Sequence, residues 1–163
     1  MNSLEKINSK IIRDWEFLPV LIGDWKKNNR KIVFTNGCFD IIHRGHIELL
    51  SKASDLGNKL IVALNTDSSV RRLKGPERPL QDETSRALIM AGFGFVDLVV
   101  LFSQDTPFEL ISLIKPDILV KGGDYKAEEI VGYDIITQNK GQVVTINFLD
   151  GYSTTSIVNK MKD

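Results

Sequence analysis

Residues 31–46 read KIVFTNGCFDIIHRGH. The β-branched and aromatic run at 31–35 has the composition of a strand, and from Gly45 onward Leu49, Ala53 and Leu56 recur at spacings of four and three, one face of a helix. That helix pattern stops at Gly57, a C-terminal signal. Residues 59–64 (KLIVAL) then form a near-continuous apolar run, the signature of a strand covered on both faces of a parallel sheet. Strand, helix and parallel strand make one right-handed crossover unit, and both histidines of the chain sit at its first turn.

The same alternation extends in both directions. Upstream, about 16–28 has a helical pattern that ends at Asn28 and Asn29. Downstream, 82–92 is helical and 97–102 is a third strand. Thr106, Pro107 and Glu109 combine a capping box with proline at the first helical position, so a helix is expected there that ends before Pro116. Residues 117–121 (DILVK) predict a fourth strand, about 126–139 a helix, and 142–147 (QVVTIN) a fifth strand. A last helix follows Ser153, with Ile157, Val158 and Met161 expected to face inward. The pattern predicts an α/β fold: a single Rossmann-like, doubly wound domain with a five-stranded parallel sheet. Residues 1–30 are expected to form an N-terminal helical segment ahead of a main domain at 31–163.

Composition narrows the function. The 163 residues are 42% hydrophobic and 26% charged, in the range of a folded domain. Lys and Arg (21) balance Asp and Glu (21), so no global positive field exists to hold a nucleic-acid backbone. The N-terminus lacks the apolar block of a signal peptide, and no stretch approaches a membrane span. Cys38 is the one cysteine, which excludes an intramolecular disulfide and suits a reducing compartment. The expectation is a cytoplasmic protein with neither nucleic acid nor membrane as partner.

In such a sheet, ligands bind beyond the carboxyl ends of the strands. The loop after the first strand carries His43 and His46 around Gly45 at a helix entry. There, free backbone N–H groups and two imidazoles suit a phosphate, and a Cβ at Gly45 would crowd the turn. A zinc site built from Cys38, Asp40, His43 and His46 is disfavoured, because the spacing fits no common framework. The G-x-G-x-x-G and G-x-x-x-x-G-K-[ST] phosphate loops are both missing. Cys38 is expected to pack rather than act as a nucleophile.

The second loop has Arg71, Arg72, Lys74 and Arg78 against one acid, Glu77, and reads as a constrained loop rather than a helix. Lys74 is the choice for a phosphate cation, with Arg86 a second candidate. Asn65, Thr66 and Asp67 could meet sugar hydroxyls, although such residues also form plain turns. In the third region, Gly122, Gly123 and Asp124 would let the backbone approach a flat base. Ser153, Thr154 and Thr155 open the last helix either as caps or as a phosphate site. Trp15 and Trp25 are read as packing or dimer contacts.

The stretch 37–46, GCFDIIHRGH, resembles the H-x-G-H signature of the small nucleotidyltransferases of the cytidylyltransferase type. Residues 63–79 (ALNTDSSVRRLKGPERP), 117–126 (DILVKGGDYK) and 150–157 (DGYSTTSI) are similar to the heptose-1-phosphate adenylyltransferase branch. The resemblance runs from about Lys31 to the C-terminal helix. Where the cytidylyltransferases have R-T-x-G-I-S-T-T, this chain has NFLDGYSTT at 147–155, a departure that favours the heptose branch.

The resemblance implies attack of a sugar 1-phosphate on the α-phosphorus of ATP, giving ADP-heptose and pyrophosphate. It assigns His43, His46 and Lys74 to catalysis. The nucleotide would lie against Gly37, Cys38, Phe39, Gly45, Arg86, Gly122, Gly123, Asp124, Ser153, Thr154 and Thr155. The acceptor would meet Asp40, Asn65, Asp67 and Arg78. Mg²⁺ would arrive with ATP, held mainly by phosphates and water, with Asp40 able to serve either sugar or metal. A homodimer is implied, as is a separate sugar kinase upstream. Two alternatives stay open: a cytidylyltransferase for a small polyol phosphate such as glycerol 3-phosphate, and a non-catalytic nucleotide-binding module.

Overall fold

A computed structural model describes residues 1–162. Six parallel strands form one sheet: β1 (Ile11–Ile12), β2 (Ile32–Gly37), β3 (Lys59–Asn65), β4 (Leu98–Phe102), β5 (Ile118–Gly122) and β6 (Gln142–Ile146). Their spatial order is β1-β4-β3-β2-β5-β6. The helices are α1 (Ser3–Asn8), α2 (Leu18–Lys27), α3 (Arg44–Ser54), α4 (Asp67–Lys74), α5 (Glu83–Gly92), α6 (Phe108–Ile114), α7 (Tyr133–Gln138) and α8 (Thr154–Lys162).

The central strands β2–β5 are mainly apolar because each face is covered. Val33, Leu60, Val62, Leu64, Val99, Leu101, Ile118 and Val120 point to the side packed by Leu49, Leu50 and Ala53 of α3 and by Ala87, Met90 and Ala91 of α5. The intervening residues Ile32, Phe34, Ile61, Ala63, Leu98, Val100 and Leu119 face Leu18 and Ile22 of α2, Leu110, Ile111 and Ile114 of α6, and Ile136 of α7. This two-residue alternation between two cores is the doubly wound arrangement.

The sheet has six strands rather than the expected five. The extra one, β1, is two residues long and joins the edge through Ile11↔Val99 and Ile12↔Val100. Such a short run carries no periodicity, and its neighbour Lys10 anchors it by donating from Nζ to the carbonyls of Ala91, Phe93 and Val96. Residues ahead of β2 thus supply an edge strand and parts of both cores. Trp15 donates from Nε1 to Leu101 O at 2.9 Å, and both Trp15 and Trp25 pack against the α2 side of the sheet.

Other local expectations need correction. Residues 67–74 are helical, so Arg71, Arg72 and Lys74 ride on α4, capped by Thr66 Oγ1, and only the segment after Gly75 is a loop. The stretch 126–139 breaks into a 3-10 turn (Ala127–Glu129) and α7, because Gly132 between them is left-handed at φ +94°. Thr106 does not complete a capping box: α6 begins at Phe108, and Glu109 instead accepts from Gln104 Nε2 at 3.2 Å. In α8, Ile157 and Val158 are half-buried, but Met161 is 79% exposed and does not face inward.

The sheet also opens its own cleft. β2 stays paired with β3 as far as Gly37↔Leu64, and β5 stays paired with β6 as far as Gly122↔Ile146. Between them, the β2–β5 ladder ends at Phe34↔Leu119. The two central strands therefore part over their last residues, at the point where the winding reverses direction.

Candidate active site

His43 is the N-cap of α3 and His46 its third residue, and the two side chains cap one another's turn. Gly45 N–H donates to His43 Nδ1 at 3.1 Å, and His43 N–H approaches His46 Nδ1 at 3.4 Å. With both Nδ1 atoms accepting, the proton of each neutral ring resides on Nε2, which stays available as a donor. The rings stack with centroids 3.8 Å apart at 28°. Gly45 is required by this packing, since a Cβ there would stand 2.9 Å from His43 Cε1.

Burial lowers the pKa of His43. Burial, then the neighbouring His43 and Lys74, lowers that of His46 to about 4. Both imidazoles are thus neutral donors at neutral pH. The linkage has a definite sign: below the unfolded value of about 6.5 the unfolded chain takes up protons that folded His46 refuses until about pH 4. Stability should therefore fall as pH drops through that window. Thermal melts across pH 7 to 4 should show a smaller decline for His46→Asn than for wild type; an identical decline would place the titration elsewhere.

The cleft holds two adjoining cavities. One, of about 210 Å³, is lined by Asn36, Gly37, Cys38, Phe39, His46, Lys74, Lys121, Gly122, Tyr125, Phe148 and Thr154, with Asp40 at its wall. The other, of about 360 Å³, is lined by Asn36, Gly37, Cys38, Asn65, Leu73, Asp105, Thr106, Lys121, Tyr125 and Glu129 among others. A more open cavity of about 490 Å³ around Arg13, Trp15 and Gln104 lies toward the β1 edge and contains neither histidine.

Phe39 adopts a left-handed conformation, φ +46°, that folds its ring over Gly37 and edge-on to His46 at 5.3 Å. Any Cβ at Gly37 would meet that ring at 2.9 Å. Gly122 and Gly123 serve the same purpose: their missing side chains accommodate the rings of Phe148 and Tyr125, at 2.8 and 2.9 Å from where a Cβ would stand. Asp124 and Thr155 are exposed and line neither cavity. Ser153 accepts from Ser156 N–H at 3.0 Å as a cap of α8, and Thr154 Oγ1 donates to Ile41 O at 3.4 Å while lining the smaller cavity.

Several residues expected to touch ligand are engaged by the chain instead. Asp40 is 3% exposed, and its carboxylate accepts from Leu80 N–H and Gln81 N–H. It also lies 3.0 Å from Arg78 Nε, a close ion pair without hydrogen-bond alignment. Arg86, the second candidate for a phosphate cation, is fully buried. Its Nε donates to Gln81 O, Nη1 to Cys38 O and Asn65 O, and Nη2 to Asp67 Oδ1, all within 3.0 Å. Asp67 is thereby paired at the head of α4, and Asn65 Nδ2 donates to Ser69 Oγ. Burial raises the Cys38 thiol pKa, which suits packing rather than nucleophilic attack.

Lys121 and Phe148 line the cleft beside Tyr125, although sequence reasoning assigns neither of the two a role. Lys121 did leave a signal, a lone charge at the carboxyl end of an otherwise apolar strand, where side chains meet ligands. Among the described residues no group of three or more His, Cys, Asp or Glu side chains is placed to hold a metal.

Residues 34–160 match the family model described as cytidylyltransferase-like. The protein named bifunctional protein HldE from Campylobacter jejuni is 56% identical over 154 residues, 94% of this chain and 32% of its own length. The protein of that name from Azorhizobium caulinodans is 51% identical over 142 residues, 87% of this chain and 30% of its own. The chain thus spans about a third of these relatives. A solved structure of a lipopolysaccharide core biosynthesis protein from Thermoplasma volcanium superposes with TM-score 0.60 at 27% identity, over 76% of this chain and 99% of the other. Pantoate-β-alanine ligase from Francisella tularensis shares the fold alone, with TM-score 0.56 and 15% identity over 93% of this chain and 76% of its own. The strand-to-helix turn that stacks His43 on His46 lies within the matched span, and this chain belongs to the cytidylyltransferase-like family.

Proposed function

We propose that this chain transfers the adenylyl group of ATP to a heptose 1-phosphate, releasing pyrophosphate. The observation that carries the reading is the pair of stacked neutral imidazoles at the head of α3, neither Nε2 hydrogen-bonded among the described residues, with His46 beside Lys74 in a cleft that divides into two cavities. An oxygen of the acceptor phosphate attacks the α-phosphorus, and the bond to the bridging oxygen breaks with its electron pair leaving on pyrophosphate. The acceptor is already anionic, so positioning and charge stabilisation supply the catalysis. His43 and His46 donate from Nε2 to the departing phosphates, and Lys74, exposed at the end of α4, adds a mobile positive charge.

The HldE relatives and the neighbour named for lipopolysaccharide core biosynthesis support the heptose branch. Phe148 and Tyr125, packed over Gly122 and Gly123, offer the outer faces of their rings to the base. Asp40, the carboxylate lining the smaller cavity, is occupied by Leu80 and Gln81, so Mg²⁺ fits as a companion of the nucleotide held by phosphate oxygens and water. It would neutralise triphosphate charge when bound. Asn65 lines the larger cavity but is buried and donates to Ser69 Oγ, so it shapes the wall there. The roles of Asp40, Asp67, Arg78 and Arg86 become ones of holding the loops around both cavities. No helix among the described residues is long and apolar enough to cross a membrane. A cytoplasmic enzyme, acting as a homodimer on a sugar 1-phosphate made by a sugar kinase, is the cellular setting consistent with this reading.

Pyrophosphate release measured with four NTPs against several sugar phosphates tests it. ATP should exceed CTP in kcat/KM at least about tenfold, roughly 1.4 kcal/mol, which one or two base hydrogen bonds can supply. Preference for CTP with glycerol 3-phosphate would overturn the base and acceptor while leaving the phosphate chemistry.

A further inference from the structure

Two cavities occupy the split between β2 and β5, and they share one wall formed by Asn36, Gly37, Cys38, Lys121 and Tyr125. Of these, Lys121 alone is charged. It is half-buried at the carboxyl end of β5, two residues past the last β2–β5 pair, Phe34↔Leu119. Its ammonium enters none of the ion pairs among the described residues and lies 5.5 Å from the centroid of the Tyr125 ring. Lys74, by contrast, lines the smaller cavity only.

A reaction between two anions imposes a particular need on that wall. The acceptor phosphate and the α-phosphate must come within bonding distance, and their repulsion grows as water is excluded from the cleft. A cation reachable from one side only would strengthen binding of that substrate without offsetting the repulsion. One that reaches both lowers the energy of their encounter.

We propose that Lys121 is the catalytic cation common to both substrates, bridging the attacking phosphate of the acceptor and the α-phosphate of the nucleotide. This rests on the adenylyltransferase reading and assigns the nucleotide to the cavity of His46, Phe148 and Thr154. The acceptor takes the larger one, where the carboxylates of Asp105 and Glu129 and the amide of Asn36 suit a polyhydroxylated body. As the new P–O bond forms and the bond to pyrophosphate breaks, Lys121 neutralises charge on the non-bridging oxygens. It neither gains nor loses a proton.

The test compares wild type, Lys121→Met and Lys121→Arg. Steady-state pyrophosphate release is measured with ATP and a heptose 1-phosphate, and calorimetric titration with α,β-methylene-ATP is run with and without saturating heptose 1-phosphate. Lys121→Met should lower kcat about 10²- to 10³-fold, the range for one lost charge stabiliser. It should bind each ligand alone within a few-fold of wild type, yet bind the analogue at least about tenfold more weakly once the sugar phosphate is present. Lys121→Arg should recover part of both losses. Turnover by Lys121→Met within about fivefold of wild type overturns the assignment, as does weakening that is equal with and without the sugar phosphate. If wild type itself releases no pyrophosphate with any acceptor phosphate, the reaction reading falls and takes this assignment with it. Should Lys121→Met fail to fold by thermal melt, Lys121→Gln, neutral but polar, takes its place and is judged by the same two outcomes.

Discussion

His46→Ala is expected to lower kcat by about 10²- to 10³-fold, with His43→Ala close behind, the range for one lost transition-state donor. Each ring has two ends with different tasks. Nδ1 accepts a backbone N–H in the first turn of α3, while Nε2–H is left for the ligand. Alanine removes both functions, and loss of the cap alone costs about 1 kcal/mol of stability. His46→Asn separates them, because its side-chain oxygen can take the place of Nδ1 while nothing reaches as far as Nε2. Asparagine should therefore restore the melting temperature and leave kcat depressed. A rise in KM at unchanged kcat would assign His46 to uniform substrate binding rather than to the departing pyrophosphate. Recovery of kcat by asparagine would make the histidine's contribution purely architectural.

The parallel strands β2–β5 were legible because most of their residues are buried on two faces, and an unbroken apolar run such as 59–64, too short for a membrane span and bounded by polar turns, fits a central parallel strand; β6, an edge strand with no buried residue, was legible from its β-branched run. The loop of His43, Gly45 and His46 was legible because its residue types are rare and closely spaced. What escaped is of two kinds. β1 and α4 are short, and tertiary contacts define them: Lys10 reaches three carbonyls across the fold, and Thr66 caps a helix whose basic residues look like a solvated loop. The polar residues Asp40, Arg78 and Arg86 posed the other difficulty. Their types suit a phosphate and a sugar, and the sequence does not reveal that residues 40, 78 and 86 converge and satisfy one another's neighbours. Lys121 shows the converse. A lysine at the end of an apolar strand does not reveal its role by itself, and its place between two cavities appears only once β2 and β5 are seen to part.

Arg86→Met should destabilise the fold by about 3–5 kcal/mol, the cost of breaking one side of a buried charge pair. At about 2–4 °C per kcal/mol for a domain of this size, the melting temperature should fall on the order of 10 °C. Four of the five guanidinium N–H groups are engaged: with the carbonyls of Gln81, Cys38 and Asn65 and with the Asp67 carboxylate. Methionine fills similar space but leaves those acceptors without donors and strands the Asp67 charge. The acceptors belong to the ends of β2 and β3 and to the segment entering α5, so the same change should loosen the cavity wall at Cys38 and Asn65. Activity measured well below the new melting temperature should then fall chiefly through KM for both substrates, because the walls shift while the reacting groups remain. Asp40→Asn should act in the same direction more weakly: its amide keeps one acceptor oxygen but turns an NH₂ toward donors that Asp40 now receives. The contrary outcome is sharp. A melting temperature equal to wild type with nucleotide affinity lost would mean that Arg86 leaves its buried partners to bind phosphate, and the loops would then be held by something else.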